Sequence, residues 1–417
     1  MNWTVWYVPH VTSGSWKALV GMLVLTMGTS TLTPLLPLYQ RDFGISTGTA
    51  TLLFVTYTVT VCPTMLIAGN LSDRLGRKRL LMPALITMTL ASLVFALAES
   101  VPMLFAGRVL QGLAIGGFLG VGAAFVVDHA KVESRALAAA LAGVFFRVGF
   151  GLGPGLAGIA AQYGPNPRHL PFWGHIGFMM IGIIAIATAS ETLMRRAEPG
   201  PFRIRIGVPH GQALGFLTYV APATFLMSFI EGTVLSVVPI FVVETLEVQN
   251  LAIVGAIGFL VLAVGGIAPF VARGLDPRRS VAIGAGLSSL LSLLIVASSG
   301  INAVALVVAA AALIGFTNGF ILYGGTVICG TIVPIGERGK LMSLLYMCAY
   351  AGTIPTVALG YLADGVGLTA TLGIFSALAL VIAAFVIVVG SRLFGEVVPY
   401  REPSPVEAEA AIAPGPT

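Results

Sequence analysis

The sequence predicts an all-α membrane protein of about twelve spanning helices, from its composition and the length of its apolar runs. Of 417 residues, 57% are hydrophobic and only 9% are charged, with a mean hydropathy of +0.97. Soluble globular domains carry about 25% charged residues. Because lipid offers the backbone no hydrogen-bond partner, spanning segments must be helices or a closed barrel. The apolar runs are continuous and show no period-two alternation, so helices are predicted.

Each apolar stretch is long enough to cross a bilayer. The first helix is expected to be retained, because the segment before it lacks the basic region and cleavage site of a signal peptide. In chain order, the predicted spans are 16–39, 49–69, 80–98, 101–127, 137–162, 172–193, 213–239, 251–272, 281–299, 303–329, 341–362 and 370–391.

The placement of lysine and arginine predicts the orientation. Alternate loops and both termini carry nearly all of these residues, whereas the other loops hold only Arg41 and Arg168. The positive-inside rule therefore predicts a multi-pass protein of the cell (inner or plasma) membrane with both termini cytoplasmic. The net charge of +5 follows from this topology and does not indicate nucleic-acid binding.

A polar, proline-containing stretch divides the chain into two halves that repeat weakly. The basic loop Gly76–Arg79 recurs as Asp276–Arg279, and the turn Glu133–Ala136 recurs as Glu337–Lys340. Internal repeats are how transporter folds are built, with the substrate site near the midplane between them. The predicted parts are an N-terminal six-helix bundle at 1–194, a cytoplasmic linker at 195–212, a C-terminal six-helix bundle at 213–392 and a disordered cytoplasmic tail at 393–417.

The short charged run between the second and third spans is the most specific motif. It reads Gly69-Asn70-Leu71-Ser72-Asp73-Arg74-Leu75-Gly76-Arg77-Lys78-Arg79-Leu80. It resembles the pattern G-x-L-x-D-R-x-G-R-K-x-x-L, the signature loop of the major facilitator superfamily. The resemblance implies a gate that latches the cytoplasmic side, formed by Gly69, Asp73, Arg74, Gly76, Arg77 and, as a partner for Arg77, Asp128. The alternative is that Arg74, Arg77, Lys78 and Arg79 serve only as topology signals.

The resemblance also implies a fold and a mode of action. The expected architecture is the major facilitator fold, with 12 transmembrane helices in two pseudo-symmetric six-helix bundles that rock around a central cavity. The expected partners are a small-molecule substrate, protons and the lipid bilayer. No cofactor, metal or nucleic acid is expected, and the protein is expected to act as a monomer.

Two further motifs lie inside spans. Arg108 and Gln111 in the fourth span are similar to the superfamily's R-x-x-Q-G pattern, whose arginine is linked to proton coupling or helix contacts. The alternative is that Arg108 snorkels to the interface. The fifth span carries G-x-x-x-G-P-x-x-A-G, which resembles the helix 5 motif of proton-coupled antiporters, with Ala157 where glycine is common. Its residues are Gly149, Gly153, Pro154 and Gly158, and the alternative is a stripe of small packing residues.

Arg147 and Glu231 are opposite charges placed near the middle of the fifth and seventh spans. Two hypotheses compete for them. Either Glu231 takes up a proton and drives transport, since a carboxyl group removed from water is harder to ionise, or the two side chains only neutralise each other. An unpaired Arg147 would instead suit an anionic substrate group.

The remaining polar residues inside spans are candidates for lining a cavity, although helix-packing hydrogen bonds explain each of them equally well. They are Thr29, Tyr57, Asn318, Tyr323, Tyr346 and Tyr350. The first span carries no acid, unlike many drug antiporters of the superfamily, which weakens the usual mechanism of cation export. The three cysteines are predicted to be packing residues.

The function predicted from these features is secondary active transport. The preferred form is a proton-coupled antiporter that exports a small organic compound, a drug or metabolite. The first alternative is a symporter that takes up an organic anion with a proton, using Arg147 and Arg108 as anion clamps. The second is a non-transporting membrane receptor or scaffold. An enzyme is not expected, and no Walker loop indicates ATP-driven pumping.

Overall fold

The computed structural model describes residues 11–192, 213–334 and 337–394, except for the side chains of Asn70 and Asp73. The predicted linker, 195–212, lies outside these residues, and so does the predicted tail from 395 onward; Leu393 and Phe394, which were predicted to begin the tail, are helical and end the last spanning helix. Within the described parts of the chain, twelve helices are long and apolar enough to cross a membrane, and no strand is present.

The twelve helices are α1 Ser13–Phe43, α2 Thr47–Leu75, α3 Arg77–Ala96, α4 Val101–Asp128, α5 Arg135–Tyr163, α6 Leu170–Ala187, α7 Ala213–Glu244, α8 Leu251–Ala272, α9 Pro277–Ile301, α10 Val304–Thr331, α11 Arg338–Val366 and α12 Leu368–Phe394. They form two pseudo-symmetric six-helix bundles, α1–α6 and α7–α12. The bundles meet where α2 packs on α11 and α5 packs on α8.

The connections between the helices lie at two opposite faces of the molecule. The basic face carries the connections at Gly76, Lys131 and Asp276, and the opposite face carries those at Gly44, Ser100 and Asn302. Since α2 and α8 run from the opposite face to the basic face, while α5 and α11 run the other way, both interface pairs are antiparallel.

The predicted spans are confirmed to within several residues, with one correction at the basic loop. α2 continues as helix through Leu75, so most of the predicted loop is helical and only Gly76 separates α2 from α3. Charged residues end an apolar run without breaking a helix, and this explains the difference. Gly76 adopts φ 105°, a conformation that residues with side chains rarely reach, and it turns the chain in a single residue.

The first N–H groups of a helix need acceptors from outside it, and the two repeats meet this need differently. At the start of α9, the Asp276 carboxylate accepts from the backbone N–H groups of Arg278 and Arg279, at 3.0 and 3.1 Å. In α3 the equivalent position is Gly76, which has no side chain. The Glu191 carboxylate, beyond the end of α6, accepts from the backbone of Arg77 and Lys78 instead, both at 3.1 Å.

Candidate transport site at the bundle interface

An ion pair joins the two bundles near the middle of the membrane-spanning region. Arg147 on α5 donates from Nη1 to Oε1 of Glu231 on α7 at 2.7 Å. The two side chains are only 8% and 13% exposed. The predicted pairing is therefore present, and it lies between the bundles, so each partner belongs to a body that moves if the bundles rock.

The residues around the ion pair leave space for the Arg147 guanidinium and contact it. Arg147 Nη2 lies 3.9 Å from the Met227 sulfur, a weak acceptor. A β-carbon built at Gly265 on α8 would lie 3.0 Å from Arg147 Nη1, so the absence of a side chain there makes room for the arginine head. Asn318 donates to the Met227 carbonyl at 3.3 Å, which is a packing bond between α10 and α7.

Arg108 is enclosed within the N-terminal bundle. Its side chain has no solvent exposure, so the alternative that it snorkels to the interface is wrong. It donates from Nη1 to the Thr29 carbonyl at 2.8 Å and to Gln111 Oε1 at 3.0 Å, while its Nε and a second terminal nitrogen have no hydrogen-bond partner. The rings of Phe54 and Tyr57 lie over the guanidinium at 5.4 and 5.3 Å, which offsets part of the desolvation of this cation.

Tyr57 connects this buried cation to the other bundle. Its ring meets that of Tyr350 on α11 edge to face, with centroids 6.4 Å apart. One residue further, the Thr58 and Thr353 hydroxyls are hydrogen-bonded at 3.2 Å. Of the other predicted lining residues, Tyr346 is partly buried on α11, whereas Tyr323 packs against the small cluster around Phe320.

The basic loop is tied to its own bundle. Arg77 forms the predicted ion pair with Asp128 at the end of α4, through Nε and Oδ2. Lys78 donates from Nζ to the backbone carbonyls of Ala187 and Ala189 at the end of α6. Among the candidates, the side chain of Asp73 lies outside the described residues. The contacts of Glu191 with the start of α3 were not predicted from the sequence. The only sequence signal for them is Gly76, which occupies the capping position of α3 and has no side chain to cap the helix itself.

The glycines of the helix 5 motif face two different helices. β-carbons built at Gly149 and Gly153 would lie 2.5 and 2.2 Å from carbonyl oxygens of α1, within the same bundle. One built at Gly158 would lie 2.4 Å from the Leu251 carbonyl oxygen of α8, in the other bundle. The glycines of the motif therefore pack closely against helices of both bundles, which both interpretations of the motif allow.

A crevice of about 680 Å³ opens at the opposite face between the ends of α1 and α7. Its charged lining residues are Arg41, Glu244 and Glu247. In the parts of the chain that are described, no group of three or more His, Cys, Asp or Glu residues is placed to hold a metal ion.

Twelve spanning helices in two related bundles, with an ion pair between them at mid-depth, define a polytopic membrane transporter. A family model described as Major Facilitator Superfamily matches residues 18–276, and the chain belongs to that family. It is therefore a multi-pass membrane protein whose family transports small molecules rather than catalysing their conversion.

The chain is similar to two proteins of one bacterium over part of its length. It is 35% identical over 124 residues to the Bacillibactin exporter of Bacillus subtilis, covering 28% of this chain and 31% of that protein. It is 25% identical over 209 residues to Multidrug resistance protein 1 of the same organism, covering 50% of this chain and 51% of that one. The matches thus span from about a third to half of these relatives' own lengths.

A similarity to a solved structure extends over the whole fold. The crystal structure of a mutant of the peptide transporter POT superposes with a TM-score of 0.77, covering 94% of this chain and 96% of that chain. The sequence identity is 13%, so this likeness shows the fold alone.

Proposed function

We propose that this protein is a proton-coupled antiporter that exports a small organic compound from the cytoplasm by alternating access. The relatives' names, an exporter and a multidrug resistance protein, support the direction of transport. The basic loops support an orientation in the cell membrane with the basic face and both termini in the cytoplasm. The small residues of the helix 5 motif, which resemble those of antiporters, add to this direction.

The single observation that carries the proposal is the ion pair between Arg147 and Glu231. A proton on Glu231 removes its charge and with it the charge-assisted bond that joins α5 to α7. Arg147 is then a cation with little water and no counter-ion, a state that favours rearrangement of the bundles or arrival of another partner. Proton binding and bundle movement are linked in this way through one contact.

The moving bodies are the two bundles, predicted at 1–194 and 213–392 and connected by the linker 195–212, with α12 extending the second bundle to Phe394. Both sides of the interface, including the Arg147–Glu231 pair, come from one chain. A monomer is therefore sufficient for the cycle.

The test is transport in inverted membrane vesicles with an imposed pH gradient. Uptake of ethidium, a lipophilic cation, and of bacillibactin into the vesicles is measured for the wild type, for Glu231→Gln and for the control Glu337→Gln. Glu337 is also ion-paired, with Lys340 at 2.9 Å, but it lies at the basic face. Gradient-driven uptake should be lost in Glu231→Gln and kept in Glu337→Gln. Undiminished proton-driven uptake in Glu231→Gln would reject the role of this carboxylate.

Arg108 favours a second candidate, uptake of an organic anion together with a proton. Two of its nitrogens have no hydrogen-bond partner, and α4 and α5 together carry two buried arginines, Arg108 and Arg147, whereas Glu231 is ion-paired with only one of them. Right-side-out vesicles separate the candidates, because a symporter accumulates an organic anion when the outside is acidic, whereas an antiporter expels its substrate under the same gradient.

A further inference from the structure

The N-terminus of α2 is capped by the other bundle. Ser46, the residue before the helix, accepts from the Thr49 N–H through its own hydroxyl at 3.2 Å. The first two N–H groups, of Thr47 and Gly48, donate instead to the two carboxylate oxygens of Asp364 at the end of α11, at 2.8 and 3.0 Å. The helix therefore supplies one of its own caps and takes two from across the interface.

The N-terminus of α8 repeats this arrangement in the other direction. Asn250, the residue before the helix, accepts from the Ala252 N–H at 2.9 Å. The first N–H group, of Leu251, donates to Gln162 Oε1 at the end of α5, at 2.8 Å. Here the N-terminal bundle caps a helix of the C-terminal bundle.

The two caps lie at the same face of the molecule, and in both of them a glycine precedes the accepting residue by four positions. Gly360 lies four residues before Asp364, and Gly158 lies four residues before Gln162. A β-carbon built at either glycine would lie close to the carbonyl oxygen of the first residue of the capped helix, at 2.9 Å for Gly360 and 2.4 Å for Gly158. The glycine lets the helices approach, and the acceptor one turn later reaches the free N–H groups.

Pseudo-symmetry explains the repetition, because α2 corresponds to α8 and α5 corresponds to α11 when the first bundle is laid on the second. The pattern Gly-x-x-x-acceptor is thus the same device present once in each repeat. One copy uses a carboxylate on two N–H groups, and the other uses a neutral amide on one.

We propose that Asp364 and Gln162 are the gating residues of the opposite face, and that both caps break each time the bundles separate there. This inference rests on the alternating-access cycle of the proposed function, but it does not depend on the direction of transport or on protons. When the face opens, the three N–H groups are left to water. The closed state is therefore favoured by the free-energy difference between a capped N–H group and one exposed to water. This difference is larger for the charge-assisted cap at Asp364 than for the neutral cap at Gln162.

The experiment measures the distance between the bundles at the opposite face. Spin labels are attached at Leu97, after α3, and at Ile301, at the end of α9, both of which are exposed. The three native cysteines are replaced by alanine, and distance distributions are recorded by pulsed electron spectroscopy in lipid nanodiscs. The variants are Asp364→Ala, Asp364→Asn, Gln162→Ala and the control Asp42→Ala, whose carboxylate contacts only arginines of its own bundle among the described ion pairs.

We expect the ratio of long to short distances to rise about tenfold in Asp364→Ala and about fivefold in Gln162→Ala. Asp364→Asn, which keeps the shape and one acceptor, should lie between the wild type and Asp364→Ala. It also provides the measurement if the alanine variant does not fold. The control should match the wild type.

A distribution that is unchanged in folded Asp364→Ala or Asp364→Asn protein would overturn the inference, whatever transport shows. So would an equal shift in the Asp42→Ala control. Since the distances are measured without substrate or gradient, loss of proton coupling in vesicles would count against the proposed function and leave this inference standing.

Discussion

The ion pair between Arg147 and Glu231 makes a quantitative prediction that a double-mutant cycle can check. The variants are Arg147→Gln, Glu231→Gln and the combination. Removing one partner leaves the other charge in a site with little water, which destabilises a protein by about 3–5 kcal/mol. Removing both leaves two neutral amides, so the double variant should be destabilised by less than the sum of the single variants.

The expected coupling follows from the geometry. Unit charges about 4 Å apart interact by about 4 kcal/mol at an effective dielectric constant near 20. The joined atoms are 2.7 Å apart and the side chains are 8% and 13% exposed, so water screens the pair only weakly. Allowing for the hydrogen bonds that glutamine still forms, we expect a coupling free energy of about 2–4 kcal/mol.

The assay is unfolding of the purified protein in detergent, followed by helical circular dichroism against denaturant. A matched control cycle uses Lys340 and Glu337, whose ion pair is similar in length, at 2.9 Å, but lies in side chains 33% and 35% exposed. Exposed pairs couple by about 1 kcal/mol or less. Additive effects within about 0.5 kcal/mol for the interface pair, or coupling no larger than in the control, would refute the reasoning.

Two further predictions concern packing and the buried cation. Gly158→Ala should lower transport at least tenfold, because its methyl group would lie 2.4 Å from a carbonyl oxygen of α8. Gly143→Ala, on the same helix but with no atom within 4 Å of the added methyl group, should transport normally. Equal transport by the two variants in vesicles would contradict this prediction. Arg108→Met should keep or raise the melting temperature, since it removes a fully buried cation with unpartnered nitrogens, while transport falls. A melting temperature lowered by many degrees with transport intact would show the opposite role, a purely structural one.

Much of the fold follows from the apolar runs, and the differences have a physical cause. The eleventh span was predicted at 341–362 and is the helix Arg338–Val366, and the second continues as helix to Leu75. Lipid selects apolar residues only within the hydrocarbon, whereas helical hydrogen bonds continue into the polar region as long as the residues tolerate it. An apolar window therefore locates a span and leaves its ends short.

Part of the candidate site could be predicted from the sequence. Whether a residue could be predicted depended on whether its partner is a charged side chain or a backbone group. Arg147 and Glu231 were paired in advance because two opposite charges near mid-depth have few other partners. The depth of Arg108 along its span did not settle whether it snorkels, since that depends on which way the helix face turns. Asp364 and Gln162 were not foreseen because their partners are backbone N–H groups, which every residue except proline has.

The crossing of α5 with α8 has a mechanical consequence. Gly158 and Gly255 meet there Cα to Cα, and a β-carbon at Gly255 would lie 2.4 Å from the Pro154 carbonyl oxygen. At this point main chain faces main chain, so α5 can turn on α8 without a side chain of either glycine blocking the movement. We expect the two glycines to stay in contact while α5 turns on α8, so that a small rotation about this crossing is enough to break the cap at Gln162 one turn further along.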